Sequence, residues 1–453
     1  MKYKSTRGGV AGLRFSDALL MGLASDGGLL VPETIPDVTA ELDAWRRCSF
    51  VELAQHIIGL FVDDIDTTTL NELIVEAYAT FEHPEVVGWR TLDNVTVVEL
   101  FHGPTLAFKD VALQLLGRLF QHVLVARNQR LNILGATSGD TGGAAIAGVR
   151  GQDNVDIFIL YPQGRVSPLH ELQMTTVADR NVHCIAVNGT FDDCQRLMKE
   201  TFSDLDYKER YQLGAVNSVN WARVLAQIVY YGYASLKTPV PAQFSVPTGN
   251  FGNVFAAYLA QKMGFPIDRL IVATNDNDIL ARFFETGEYA LGPVHQTLSP
   301  AMDIQVASNF ERFLYYHFEQ DSQRLNAFMS DFAATGRASL GAAPQTELFA
   351  AVAINQTQTL AAMRRIKNQF AYVLDPHTAI GVAAAQQTCA AEEPIMCIAT
   401  AHPAKFPEAV KEATDIAPTH PSLDALAGLP QRKSNLDADL AAVKAFVAEA
   451  ILA

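Results

Sequence analysis

His102-Gly103-Pro104-Thr105-Leu106-Ala107-Phe108-Lys109-Asp110 stands between an apolar run at 94–100, read as a strand, and a run at 111–125, read as a helix. Ala112, Leu115, Leu116, Leu119 and Val123 make one apolar stripe of that helix. The same strand–loop–helix pattern recurs outward from it. Residues 131–135 read as a strand, 142–149 as a helix and 156–161 as a strand. Residues 243–246, 254–263 and 269–274 read as strand, helix and strand, and 395–399 as a strand running towards a helix from about 407. Repeated units of this kind predict an α/β protein with a mainly parallel sheet. Ligands in such sheets sit at the carboxyl ends of strands, so the strand-to-helix loops are where chemistry is sought. Residues 1–90 differ: 50–61 and 69–81 read as helices, punctuated by Pro32, Pro36 and Pro84.

Five segments carry candidate chemistry. Lys109 falls at a helix start, where the macrodipole disfavours an ammonium. That is odd for a structural lysine and suits an amine used in Schiff-base chemistry, although a solvated lysine fits the spacing too. Gly135-Ala136-Thr137-Ser138-Gly139-Asp140-Thr141-Gly142-Gly143 is small, polar and glycine-rich. It lacks the Gly-Lys-Ser/Thr ending of a nucleotide P-loop and the G-x-G-x-x-G spacing. It suits a carboxylate or phosphate, or is a tight turn with a cap. Pro247-Thr248-Gly249-Asn250-Phe251-Gly252-Asn253 offers a concave set of N–H donors fit for a phosphate, with Asn253 otherwise a helix cap. In Ala399-Thr400-Ala401-His402-Pro403-Ala404-Lys405-Phe406, Thr400 lies at a strand's carboxyl end. In Asn217-Ser218-Val219-Asn220-Trp221-Ala222-Arg223, Asn217, Asn220 and Arg223 recur three apart and are expected on one helical face. Asparagines with a guanidinium fork suit a phosphate dianion; a cap followed by a surface arginine is the alternative. The Thr400 loop also reads as a plain polar loop before a helix. One explanation joins the two phosphate-like sites, the carboxylate-like site and the helix-start lysine: a phosphorylated cofactor bound covalently to the lysine, and a phosphorylated amino-acid substrate.

Bulk properties limit the rest. At roughly 150 residues per domain, 453 residues allow about three domains or one large body with additions. The balance of 34 basic and 49 acidic residues, a net charge of −15, argues against nucleic acid or an anionic membrane as partner. Five scattered cysteines without a C-x-x-C pair predict free thiols in a reducing compartment, not a metal site. The first residues do not read as a signal peptide, and no apolar run reaches membrane-spanning length. A cytoplasmic protein, monomer or homodimer, is expected.

The 102–110 segment resembles the pyridoxal-phosphate lysine motif of the threonine synthase family, in its longer branch. Ser5-Thr6-Arg7-Gly8 and Ser25-Asp26-Gly27-Gly28-Leu29-Leu30-Val31-Pro32 resemble that family's start, Thr137 to Gly142 its substrate loop, and Gly249 to Asn253 its cofactor-phosphate loop. The motifs stand in the family's order through most of the chain. The resemblance implies a fold type II pyridoxal-phosphate enzyme, similar to the tryptophan synthase β subunit. Its expected organisation is a helical N-terminal domain at 1–92 and a catalytic region at 93–453. That region would hold two open α/β subdomains, the smaller around 115–215. It implies conversion of O-phospho-L-homoserine and water to L-threonine and phosphate, through a Schiff base of pyridoxal 5'-phosphate on Lys109. It assigns the cofactor phosphate to Gly249, Asn250, Phe251, Gly252 and Asn253, and the pyridine nitrogen to Thr400. The substrate falls to Thr137, Ser138, Gly139, Asp140 and Thr141, and its phosphate to Ser218, Asn220 and Arg223. Many fold type II relatives have asparagine where Asp140 stands, which leaves the partner of the cofactor's ring hydroxyl open. A lyase acting on phosphorylated amino alcohols or hydroxy amino acids, and a non-catalytic binding protein, remain rival readings. His377, in Asp375-Pro376-His377-Thr378, is expected to be structural at a helix start rather than catalytic.

Overall fold

The computed structural model describes residues 1–344, 347–389 and 394–452. Two sheets organise them. The larger has six strands in the order Phe349–Ala353, Ile267–Thr274, Ala242–Pro247, Ile395–Ala399, Val95–Glu99 and Gly88–Leu92. Its first five strands are parallel; Gly88–Leu92 pairs antiparallel with Val95–Glu99. The smaller has five parallel strands in the order Ser434–Asp437, Val182–Asn188, Val155–Pro162, Leu131–Ala136 and Leu213–Gly214. Every residue of Val155–Pro162 is buried, as expected of a central parallel strand covered on both faces.

The strands and helices read from the 102–110 segment outward all form, with ends shifted by at most two residues. The N-terminal region contains the helices Phe50–Gly59 and Thr67–Tyr78, and also a small antiparallel pair, Tyr3–Ser5 with Leu30–Pro32. It has no separate core. Trp221, fully buried at the start of the helix Trp221–Leu236, meets the rings of Tyr3 and Phe61, each 5.9 Å between centroids. Ser434–Asp437 returns the chain from its last residues to the edge of the smaller sheet.

The helix Lys109–Arg127 carries the lysine of the opening segment, and Asp140–Val149 starts at the glycine-rich loop. The two helices touch through glycines. A Cβ on Gly117 would lie 1.8 Å from the Gly148 carbonyl oxygen, and one on Gly148 2.5 Å from that of Leu113. Only side-chain-free residues permit this approach, and it fixes the two helix starts against each other.

Candidate active site

The loop before Lys109 is held from both sides. Leu106 adopts φ 58°, and the Leu106 carbonyl accepts from His402 N–H at 3.0 Å. Phe108 N–H donates to the Thr400 carbonyl at 2.8 Å, and Ala107 bridges Ala401. Thr400 is thereby fixed beside the start of the lysine's helix. Asp110 locks the turn by accepting from Thr105 N–H at 2.8 Å and Thr105 Oγ1 at 2.7 Å. Burial pushes its carboxyl up to about 6, against those two hydrogen bonds.

Lys109 is mostly buried, and its Nζ lies 2.5 Å from Asp140 Oδ2. The helix dipole disfavours an ammonium here, and the Asp140 carboxylate offsets it. Lys405 Nζ pairs with Asp140 Oδ1 and donates to the Thr105 carbonyl at 2.7 Å. Burial raises the Asp140 carboxyl, but Lys109, Lys405 and His170 more than offset this and hold it well below the usual carboxylate range. His170 Nε2 is 3.9 Å from Asp140 Oδ1, while Nδ1 is 2.9 Å from Ser167 Oγ. Burial, with the charge of Lys405, pushes His170 down to about 4, so its ring is neutral at neutral pH. Lys405 and His170 received no role from the sequence. The available signal for Lys405 was a lone lysine between Ala404 and Phe406, just past Thr400.

In the glycine-rich loop, Thr137 Oγ1 accepts from Gly139 N–H at 3.0 Å and Gly142 N–H at 2.9 Å, capping the helix. Gly139 has φ 141°, and a Cβ there would sit 3.0 Å from the His170 ring. Ser138 is exposed and Thr141 half-buried.

The helix Gly252–Lys262 begins after Phe251, at φ 63°. The N–H groups of its first turn have no partner within the helix. The Phe251 ring packs among Phe284, Phe310, Phe313 and Phe349, so this residue offers the loop its backbone only. A Cβ on Gly249 would lie 2.7 Å from the Ala301 carbonyl oxygen. Asn253 Oδ1 accepts from Tyr230 at 2.5 Å and Tyr231 at 2.8 Å, while its Nδ2 is buried with no partner among the described residues.

Ser308, unnoticed in the sequence, links this loop to the 217–223 segment. Its hydroxyl is 2.7 Å from Ser218 Oγ and donates to Asn250 Oδ1 at 3.1 Å. The expected shared helical face of Asn217, Asn220 and Arg223 does not form. The helix starts at Trp221; Asn220 caps it, with Oδ1 accepting from Ala222 N–H at 3.0 Å, and Asn217 lies in the preceding loop. The Asn220 amide also donates to the Leu19 carbonyl at 2.9 Å. Both ends of that side chain are engaged, so Asn220→Ala is expected to destabilise the fold by about 1–3 kcal/mol in urea unfolding. The KM of the folded fraction should stay near wild type. Arg223 is buried, and its Nε and Nη1 have no partner among the described residues. Desolvation pushes it down to about 10.

His377 sits where a structural residue would. Its Nδ1 is 2.9 Å from Asp375 Oδ1, its Nε2 accepts from Ala301 N–H at 3.3 Å, and its ring packs on Phe406. Among the described residues no cluster of His, Cys, Asp and Glu could hold a metal ion, and no helix is long and apolar enough to cross a membrane.

Residues 2–78 match the family described as "Threonine synthase N terminus", 92–401 that of "Pyridoxal-phosphate dependent enzyme" and 378–447 that of "Threonine synthase, C-terminal". Threonine synthase of Pseudomonas aeruginosa is 47% identical over 461 residues, covering 99% of this chain and 98% of that protein. The crystal structure of PLP-bound threonine synthase from Brucella melitensis superposes with TM-score 0.97 at 45% identity and covers 100% of both chains. The yeast threonine synthase structure does so with TM-score 0.94 at 38% identity, covering 100% of this chain and 99% of that one. The order of motifs along the chain, the two parallel sheets and these likenesses agree: the chain belongs to the threonine synthase family of fold type II pyridoxal-phosphate-dependent enzymes.

Proposed function

We propose that this chain converts O-phospho-L-homoserine and water to L-threonine and phosphate, with pyridoxal 5'-phosphate held on Lys109. The observation that carries the substrate half is Arg223. A buried guanidinium with no counter-ion among the described residues calls for an anion, and a phosphate ester supplies one. The orphaned Nδ2 of Asn253 and the open first-turn N–H groups beside it fit the cofactor's phosphate.

When bound, the cofactor supplies the electron sink that makes carbanions at Cα and Cβ of the substrate accessible. The chain's own residues do the rest. Lys109 Nζ takes and returns protons on the substrate, and Asp140 holds that nitrogen when it is charged. The backbone of Gly249, Asn250, Phe251, Gly252 and Asn253 cradles the cofactor phosphate. Thr400 presents a neutral hydroxyl to the pyridine nitrogen, a weaker partner than a carboxylate, which suits elimination and replacement. Thr137, Ser138, Gly139 and Thr141 hold the substrate carboxylate. Ser218 and Arg223 grip the leaving phosphate, whose departure breaks the Cγ–O bond before water adds at Cβ. Asn220 serves this site by capping the helix that presents Arg223. The proposal extends to a cytoplasmic protein divided near residue 92, working as a monomer or homodimer on a small-molecule substrate.

The test is product analysis with O-phosphohomoserine. Threonine and phosphate in equal amounts are expected. A 2-oxo acid or aldehyde with phosphate, and no threonine, would mean a lyase instead.

A further inference from the structure

Two buried ammonium groups share one carboxylate. Lys109 Nζ meets Asp140 Oδ2 and Lys405 Nζ meets Asp140 Oδ1. The Lys405 side chain has no exposure, and its other partner is the Thr105 carbonyl in the lysine's own loop. A stable ion pair with Asp140 needs only one lysine, and burying a second ammonium is costly. The second becomes intelligible if the charge of the first is transient. An amine that binds a carbonyl group and moves protons alternates between charged and neutral states. With Lys109 alone, Asp140 would lose its counter-ion at each alternation.

We infer that Lys405 is a positioning residue for the reaction: its fixed charge keeps Asp140 ionised while the charge at Lys109 Nζ changes, and it opposes Asp140's hold on the proton at that nitrogen. This rests on the reading of Lys109 as the cofactor's anchor. The other titratable groups facing the cluster do not replace Lys405. His170 is neutral near neutral pH, Asp110 is tied to Thr105, and His377 is bonded to Asp375 behind Phe406.

The sign follows from charge alone. Removing Lys405 removes a positive neighbour, so the Lys109 nitrogen in the holoenzyme should keep its proton to higher pH. Removing the charge of Asp140 should do the reverse. The experiment is a pH titration of the holoenzyme's visible absorbance in wild type, Lys405→Met, Lys405→Arg, Asp140→Asn and the Asp140→Asn/Lys405→Met double variant. Lys405→Met is expected to move the midpoint up, and Asp140→Asn down, each by about one to two pH units. The double variant should lie between them, and Lys405→Arg near wild type. A role in packing alone would not give shifts of opposite sign. An unmoved midpoint in Lys405→Met, or one that moves down, overturns the inference. If Lys405→Met fails to fold, the comparison passes to Asp140→Asn with and without Lys405→Met, which removes both buried charges together. There the double variant should again titrate higher, and equality with Asp140→Asn overturns the inference. A wild type with no visible band that borohydride bleaches would instead overturn the anchoring role of Lys109.

Discussion

Lys109→Ala abolishes threonine formation from O-phosphohomoserine, with turnover expected to fall by about 10⁴-fold or more. The variant should also bind pyridoxal phosphate without fixing it on borohydride reduction. The size of the effect follows from the two jobs that the proposed function gives one atom: Nζ would both anchor the cofactor and move the substrate's protons. Removing one member of a buried ion pair usually destabilises by about 3–5 kcal/mol, because the partner is left uncompensated. Here Lys405 remains on Asp140, so the variant should fold and show a far-UV spectrum like wild type. Loss of activity then reports chemistry and not unfolding. Full activity in Lys109→Ala would remove the central claim of the proposed function.

The parts of this molecule legible in its sequence are those written in local pattern. The strand–loop–helix units announced themselves by apolar runs followed by amphipathic ones, and their loops landed at the carboxyl ends of parallel strands. That pattern singles out Lys109, Thr400 and the 249–253 loop as candidates. What was not legible depends on contacts between distant segments. Lys405 reaches Asp140 only because the Ala107–Ala401 bridge ties its loop to the lysine's loop. Ser308 joins the 217–223 and 249–253 segments from a third part of the chain. Spacing misplaced Asn220: a residue three from a neighbour shares a helical face only inside a helix, and Asn220 lies at its boundary. The short edge strands Leu213–Gly214 and Ser434–Asp437 carry too few apolar residues to mark themselves, and neighbouring strands define them.

Arg223→Met should move activity and stability in opposite directions. The substitution keeps an unbranched apolar stem and removes a desolvated guanidinium whose Nε and Nη1 have no partner among the described residues. An unpaired buried charge lowers stability, so the methionine variant should unfold at equal or higher urea than wild type. In the proposed function the substrate phosphate supplies the missing partner in the wild type. Two charge-assisted hydrogen bonds at about 1.5–3 kcal/mol each put the loss in kcat/KM at about 10²–10⁴-fold. Most of it should appear as a raised KM, since the phosphate is gripped before it leaves. Arg223→Lys keeps the charge but not the planar fork, and should recover only part of the loss. Phosphate and other phosphorylated amino acids should protect wild type against thermal unfolding and protect Arg223→Met much less. A variant less stable than wild type with unchanged KM would show that Arg223 holds the fold and that the substrate phosphate is bound elsewhere. Arg312, equally buried, spends its guanidinium on the Leu30 and Val219 carbonyls and Asn309 Oδ1; Arg223 Nε and Nη1 find no such acceptor among the described residues, and in the proposed function the substrate phosphate supplies it.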